Sequence, residues 1–285
     1  MSYDVAAARR SVLGNARVLD RHRFAFLVDD GPREPVLTAL SAYQNPDGGF
    51  GNALEPDLRD AASQPAATFS ALEVLAEVGA LDDPITQRAE AWLATIAHDD
   101  GSVPQVLASV ESAPHAPWMG PEPEAGFFTL ALVGLLSQGG AAPTPWRERA
   151  REWCWSVIGD GSDLEHFWVK FAFHFLDHDA DDARAERTVA VLADKLGPDG
   201  SVPVPGGTEG ERLGALVLSP RPGLRSRAAF TDDVVTSALD DLAAEQEPDG
   251  SWVPDFLAWS PAQAVEWRGR LTVDSVTTLR AHGRR

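Results

Sequence analysis

A chain of 285 residues is long enough for one large domain or two small ones, with a substantial core. Its formal net charge of −19, from 43 acidic residues against 24 Lys and Arg, repels phosphate backbones and anionic bilayers, so no nucleic-acid partner is expected. No stretch approaches the ~20 apolar residues of a membrane span, the N-terminus lacks the basic-then-apolar layout of a secretory signal, and a single cysteine, Cys154, permits no internal disulfide. The expectation is a cytoplasmic protein without membrane insertion.

Helical periodicity begins with one helix from about Asp4 to Leu27. From there two kinds of segment alternate. The first kind opens on acids, Thr or Pro, which satisfy free N–H groups and favour the helix dipole, and closes on Asp-Gly. Its members run from Asp30 to Asp47, Asp83 to Asp100, Thr144 to Asp160, Asp182 to Asp199 and Asp233 to Asp249. Each interval is sixteen or seventeen residues, a helix of about four turns. The second kind is more apolar and of varied length: Ala66–Val78, Ala125–Ser137, Asp163–Leu176, a short one near Glu209–Leu218, and Arg270–His282. The run "FFTLALVGLL" is apolar nearly all round, as a helix packed on both sides must be.

Alternating apolar and amphipathic helices predict an all-α fold, an α/α toroid of roughly (α/α)6 form, as one domain over residues 1–285. Its inner ring would be wrapped by an outer one, with each Asp-Gly marking the corner between them. Two corners are nearly identical phrases, "QNPDGGF" at Gln44–Phe50 and "QEPDGSW" at Gln246–Trp252. In both, Gln can bond a helix carbonyl, and Phe50 or Trp252 can pack over the turn.

The phrase Gln-x-Pro-Asp-Gly-(Gly/Ser)-(Phe/Trp) resembles the prenyltransferase and squalene oxidase repeat of terpenoid cyclases and protein prenyltransferase β-subunits. "HDDGSV", "IGDGSD" and "LGPDGSV" are degenerate copies. The chain is also similar to small standalone bacterial proteins that carry such repeats. This resemblance implies the toroid fold and an aromatic lumen suited to an isoprenoid.

If every corner lies at one end of the toroid, the loops that follow the corners share one rim, the usual place for binding. They carry Trp118, Trp252, Trp259 and Trp267. The densest candidate is "GNALEPDLRD". Glu55 and Asp57 are candidate proton-transfer groups there, Arg59 a candidate for an anionic group, and Gln64 a polar contact before the next inner helix. A loop that only closes the rim by salt bridges would read the same way. Arg268, at the end of the last rim segment, is a further substrate-binding candidate.

In "DLEHFWVKFAFHFLDHD", His166, Lys170 and His174 follow at four-residue spacing beside a stripe of Phe167, Phe171 and Phe175. Facing a lumen, these would make an aromatic wall with a catalytic His166 and a cation, suited to a prenyl chain or carbocation. Facing a helix seam, they would snorkel.

Three metal or acid signals lead nowhere specific. His174 and His178 have a zinc-compatible spacing without a Glu-rich context. Cys154 lies between two tryptophans on an outer helix, so the zinc site of protein prenyltransferases does not carry over. "DADD" at Asp179–Asp182 matches the Asp-x-Asp-Asp of class II terpene cyclases, but it opens an outer helix, where capping explains it. No Asp-Asp-x-x-Asp occurs. No metal and no cofactor are expected.

Three functions are compatible with these residues. The first is a terpene-cyclase-like or prenyltransferase-like protein holding a hydrophobic small molecule. The second is a non-catalytic toroid binding a peptide or partner protein at its acidic, Trp-bearing mouth. The third is a carbohydrate-active enzyme using Glu55/Asp57 or Glu122/Glu124 as acid and base.

Overall fold

The computed structural model describes residues 3–285, apart from the side chain of Pro123. The chain is all-α, with helices α1 (Val5–Asn15), α2 (Val18–Asp29), α3 (Glu34–Ser41), α4 (Pro65–Glu77), α5 (Pro84–Ile96), α6 (Phe128–Gln138) and α7 (Pro145–Ile158). There follow α8 (His166–Leu176), α9 (Asp182–Ala193), α10 (Ala215–Leu218), α11 (Asp232–Ala244) and α12 (Pro261–Ala281). Two short antiparallel ribbons lie in the connectors: β1 (Pro104–Val106) with β2 (Glu122–Ala125), and β3 (Val202–Pro203) with β4 (Arg212–Leu213). Among the described residues, no helix is long and apolar enough to cross a membrane.

Several expectations need correction. The initial helix is two helices, because Ala16 and Arg17 adopt extended backbone between α1 and α2. That bend lets α12 approach: a Cβ on Gly269 would lie 2.8 Å from Ala16 Cβ. Asp30 does not open a helix; at φ 54 it closes α2 in the left-handed region. The first outer helix, α3, is consequently only 8 residues long, while α5, α7, α9 and α11 have the expected three to four turns. The last inner helix begins at Pro261, capped by Ser260, so Trp267 and Arg268 lie within it and not in a loop. The segment near Glu209–Leu218 is mostly strand and turn, with helix only over Ala215–Leu218. Capping itself follows expectation: Asp83 accepts from Ile85 N–H and Thr144 from Arg147 N–H, while α9 and α11 are capped one or two residues earlier than expected, by Asp181 and Thr231.

The helices gather into two compact units. One holds Glu34–Asp160 and His178–Ala180. There α4 and α6 pack together, with the Phe69 and Phe128 rings 5.3 Å apart, and every residue from Phe128 to Leu136 is buried. Helices α5 and α7 bury one face each against this pair, through Trp92 and Leu93 and through Ala150 and Cys154. The other unit holds Met1–Arg33, Gly161–Asp177 and Asp181–Arg285. Within it α12 packs on α1, α2 and α11, and α8 on α9 and α10.

The five Asp-Gly corners share a left-handed glycine, and three of them share a fuller construction. Gly48, Gly101, Gly161, Gly200 and Gly250 all have positive φ, between 71° and 97°. In four corners the aspartate accepts from the backbone N–H two residues on: Asp47 from Gly49, Asp100 from Ser102, Asp199 from Ser201 and Asp249 from Ser251. Three corners then donate their next backbone N–H to a threonine of the following inner helix, Phe50 to Thr68, Val103 to Thr129 and Trp252 to Thr272, at 3.0–3.2 Å. A Cβ on the corner glycine would collide with the helix packed on it, which is the next outer helix at Gly48 (2.5 Å from Arg88 O) and Gly101 (2.5 Å from Ala150 N), and α1, taking that same outer place, at Gly250 (2.2 Å from Ala7 C).

The Gln of the repeated phrase bonds the corner and the next outer helix together. Gln44 Nε2 donates to Gly48 O at 2.8 Å and Ile85 O at 2.9 Å, and Gln246 Nε2 to Gly250 O at 3.0 Å and Asp4 O at 2.9 Å. Phe50 and Trp252 are buried over the turn, with Trp252 Nε1 donating to Leu242 O at 2.7 Å.

Gly101→Ala is expected to lower the unfolding free energy by about 2–4 kcal/mol, because a left-handed backbone penalty adds to a forced helix shift. Gly79→Ala shares the positive φ, at 65°, but a Cβ there meets nothing within 4 Å; it should lose only about 1 kcal/mol. Urea denaturation of both variants measures the difference, and equal losses would remove the close-approach account.

Candidate functional site

In the unit of α4 and α6, the loops that follow the Gly48 and Gly101 corners are joined. The first doubles back so tightly that a Cβ on Gly51 would lie 2.2 Å from Ala62 O. Its ends are held by Gly51 N–H donating to Tyr43 O at 3.0 Å and Gln64 N–H to Phe50 O at 2.8 Å. The second is tied at its base by the β1–β2 ribbon. Arg59 N–H donates to Pro114 O and Ala116 N–H to Asp57 O, each at 2.9 Å, and a bridge links Leu58 with His115.

The sequence-predicted residues Glu55, Asp57, Arg59, Gln64 and Trp118 all lie in this joined pair. Glu55 is buried and accepts from Ser70 Oγ of α4 at 2.6 Å. Asp57 is buried and accepts from Trp118 Nε1 at 3.0 Å. Gln64, 1% exposed, accepts from Leu107 N–H at 2.8 Å and donates to Ser109 Oγ at 2.9 Å.

The centre of the cluster is a residue the sequence reading left out. Asp60 accepts from Ala62 N–H at 2.9 Å, Gln64 Nε2 at 2.8 Å and Ser109 Oγ at 2.6 Å. Burial alone would raise its pKa, but the bonds from Ser109, Gln64 and Ala62 outweigh that and hold it below the usual carboxylate range. A carboxylate held ionised this way is a brace and not a proton donor at neutral pH. Its spacing from Gln64, four residues across a tight loop, was the available signal.

In the other unit, α8 carries the aromatic–cation stripe. His166 has φ 51; its Nδ1 lies 3.2 Å from Pro203 O and its Nε2 3.4 Å from Glu165 Oε2. Phe167 stacks on Phe171 at 6.4 Å, Lys170 Nζ sits 5.2 Å from the Phe171 centroid, and His174 lies 5.8 Å from that ring. The two predicted stripes therefore meet at Phe171. Phe171 and Phe175 are buried, while His166, Phe167, Trp168, Lys170 and His174 are half-buried.

The rim of this unit is also drawn together, by His166 against Pro203 and by Thr208 Oγ1 donating to Asp255 O at 3.5 Å. Trp259 is half-buried. Arg268 is a corner brace, donating to Ser251 Oγ at 2.6 Å and pairing with Asp249.

The remaining signals have structural uses. In "DADD", Asp179 is buried in a two-bond pair with Arg151, Asp181 caps α9, and Asp182 pairs with Arg225. Cys154 is fully buried on the packed face of α7, and burial, then the Asp179 charge, push its thiol well above its ordinary pKa. Glu122 and Glu124 are exposed on β2. Among the described residues, no three His, Cys, Asp or Glu side chains gather as a metal site would require.

Comparison with known proteins gives a fold and no closer identity. No protein-family model and no curated protein matches the chain. Among solved structures, a protein from Actinoplanes is 19% identical with a TM-score of 0.58, covering 98% of this chain and 100% of its own. Type II terpene cyclase MstE from Scytonema, in complex with its substrate geranylgeranyl dihydroxybenzoate, is 15% identical with a TM-score of 0.59, covering 97% of this chain and 96% of its own. The same enzyme with its product merosterolic acid A is 17% identical, with a TM-score of 0.59 and coverage of 97% and 95%. The chain thus has a terpenoid-cyclase-like all-α fold along nearly its whole length.

Asp177, at the end of α8, generates a pH prediction. It accepts from Ser226 N–H at 2.6 Å and Ser226 Oγ at 2.9 Å, and burial raises its pKa to about 6 against those bonds and the Arg225 charge. A raised carboxylate pKa means the folded state holds the proton more tightly than the unfolded one. Its favourable contribution is therefore full below about pH 4 and is lost as pH rises through about 6. Asp177→Asn should lack this loss: its stability relative to wild type, followed by urea denaturation, should climb between pH 4 and pH 7.

Proposed function

We propose that the protein binds a hydrophobic small molecule of the isoprenoid class against the aromatic face of α8. The observation that carries this reading is the contact of Phe167, Phe171, Lys170 and His174 on one helix, in a chain whose fold is that of enzymes solved with a geranylgeranyl substrate. Stacked phenyl rings offer polarisable apolar surface to a branched polyene, and their π faces attract any cationic character that develops along it. Lys170, one of two lysines in the chain, supplies a positive charge for an anionic head group. His166, with its ring between a rim carbonyl and Glu165, is the proton-carrying group of this reading. The cytoplasm is its proposed compartment, in keeping with a single buried thiol.

Titration with farnesyl and geranylgeranyl diphosphates and with the corresponding uncharged alcohols tests the reading. Phe167→Ala should weaken all four ligands by about tenfold, the loss of part of one buried aromatic contact. Lys170→Ala should weaken the diphosphates and leave the alcohols unchanged. If the wild-type protein binds none of the four, the reading is wrong.

A further inference from the structure

We propose that Trp118 is a recognition platform for an organic cation, of the guanidinium or quaternary-ammonium class, on the surface of the joined loops. The inference is independent of the isoprenoid reading, which rests on α8. Trp118 is a large side chain left 42% exposed, yet its one polar atom is spent inward: Nε1 donates to Asp57 Oδ2 at 3.0 Å, and Asp57 is only 5% exposed.

Three consequences follow from that single bond. The ring orientation is fixed before any ligand arrives, so little rotamer entropy is lost on binding. The indole has no donor left for a sugar hydroxyl or a carbonyl, so its exposed part is hydrocarbon ring, open to apolar and π contacts alone. Donation of the N–H to a carboxylate pushes electron density into the ring, which strengthens its attraction for a cation.

The support behind the ring is rigid. Ala116 N–H donates to Asp57 O and Leu58 bridges His115, so the backbone just before Trp118 is tied to the loop that holds Asp57, and Met119 N–H donating to Ala116 O closes the turn that carries the ring. The connector that carries Trp118 is acidic. From Ala89 to Trp146 the chain contains no Lys or Arg, and Glu111, Glu122 and Glu124 are exposed on the same connector. Arg59, on the facing loop, is the local exception.

The test labels the protein with 5-fluorotryptophan, assigns the Trp118 resonance through Trp118→Phe, and titrates tetramethylammonium chloride, methyl β-glucoside and sodium chloride at matched ionic strength. Tetramethylammonium should move the Trp118 resonance saturably, and the glucoside and sodium chloride should not. Asp57→Asn, whose amide oxygen still accepts the indole N–H, should raise the midpoint about two- to fivefold. Should that variant fail to fold, Glu122→Gln with Glu124→Gln, both exposed, weakens the field alone and should also raise the midpoint. A saturable response to the glucoside, equal shifts with sodium chloride, or a midpoint unmoved by the variants would overturn the proposal.

Discussion

The structure depends on how closely a turn can approach a neighbouring helix. At Gly48, Gly101 and Gly250 the backbone of the corner touches the backbone of the next outer helix, with no room for a single carbon between them. Only glycine satisfies both the positive φ and the contact. The aspartate before it closes the turn, and the threonine of the following inner helix receives the N–H of the residue after. One local device thus positions three elements together: the outer helix that ends there, the outer helix it touches and the inner helix it feeds. At these three corners the connectors that follow differ in length while the device does not.

This explains why the fold was legible and where legibility stopped. The corners could be read because each combines a conformation and a contact that few residues allow, and the apolar density of α4 and α6 could be read because both are buried nearly all round. The break at Ala16 could not, since Ala and Arg are good helix formers; what it makes room for, Gly269 of α12, lies over two hundred residues away in sequence. Asp30 carries a helix-opening residue type and closes a helix instead, a difference set by its φ alone. The start of α12 is marked in the sequence by Ser260–Pro261, an N-cap followed by proline, within an aromatic run that otherwise resembles a continuous connector.

The candidate site shows the same division. Glu55, Asp57, Arg59 and Gln64 were read as one polar group because they crowd a Gly-rich bend, and they do share a loop. Their individual uses were not legible, because each depends on a partner from elsewhere in the chain: Ser70 for Glu55, Trp118 for Asp57, Leu107 and Ser109 for Gln64. Asp60 was passed over for the same reason. A carboxylate that looks catalytic by type can be a brace by geometry: three donors surround Asp60 and hold it ionised.

Buried charge adds a second constraint on helix placement. Asp20 is fully enclosed, and burial would raise its pKa; Arg17 at 2.8 Å and Arg23 at 3.0 Å reverse that and hold it low. Arg23 reaches on to Asp274 of α12 at 2.7 Å. Elsewhere Glu90 receives both Arg147 and Thr144, joining α5 to the start of α7. Enclosed ion pairs contribute little net stability, yet removing one partner costs several kcal/mol, roughly 3–5, so they penalise any other arrangement of the helices. The Asp-x-Asp-Asp string has structural uses too, most of them nearer the surface. Asp179 neutralises Arg151, Asp181 caps a helix and Asp182 pairs with Arg225, so each carboxylate has a structural partner. A four-letter match to a cyclase acid therefore says less than the backbone position that holds it, and a shared fold at 15–19% identity leaves the chemistry to be decided by side chains such as those of α8.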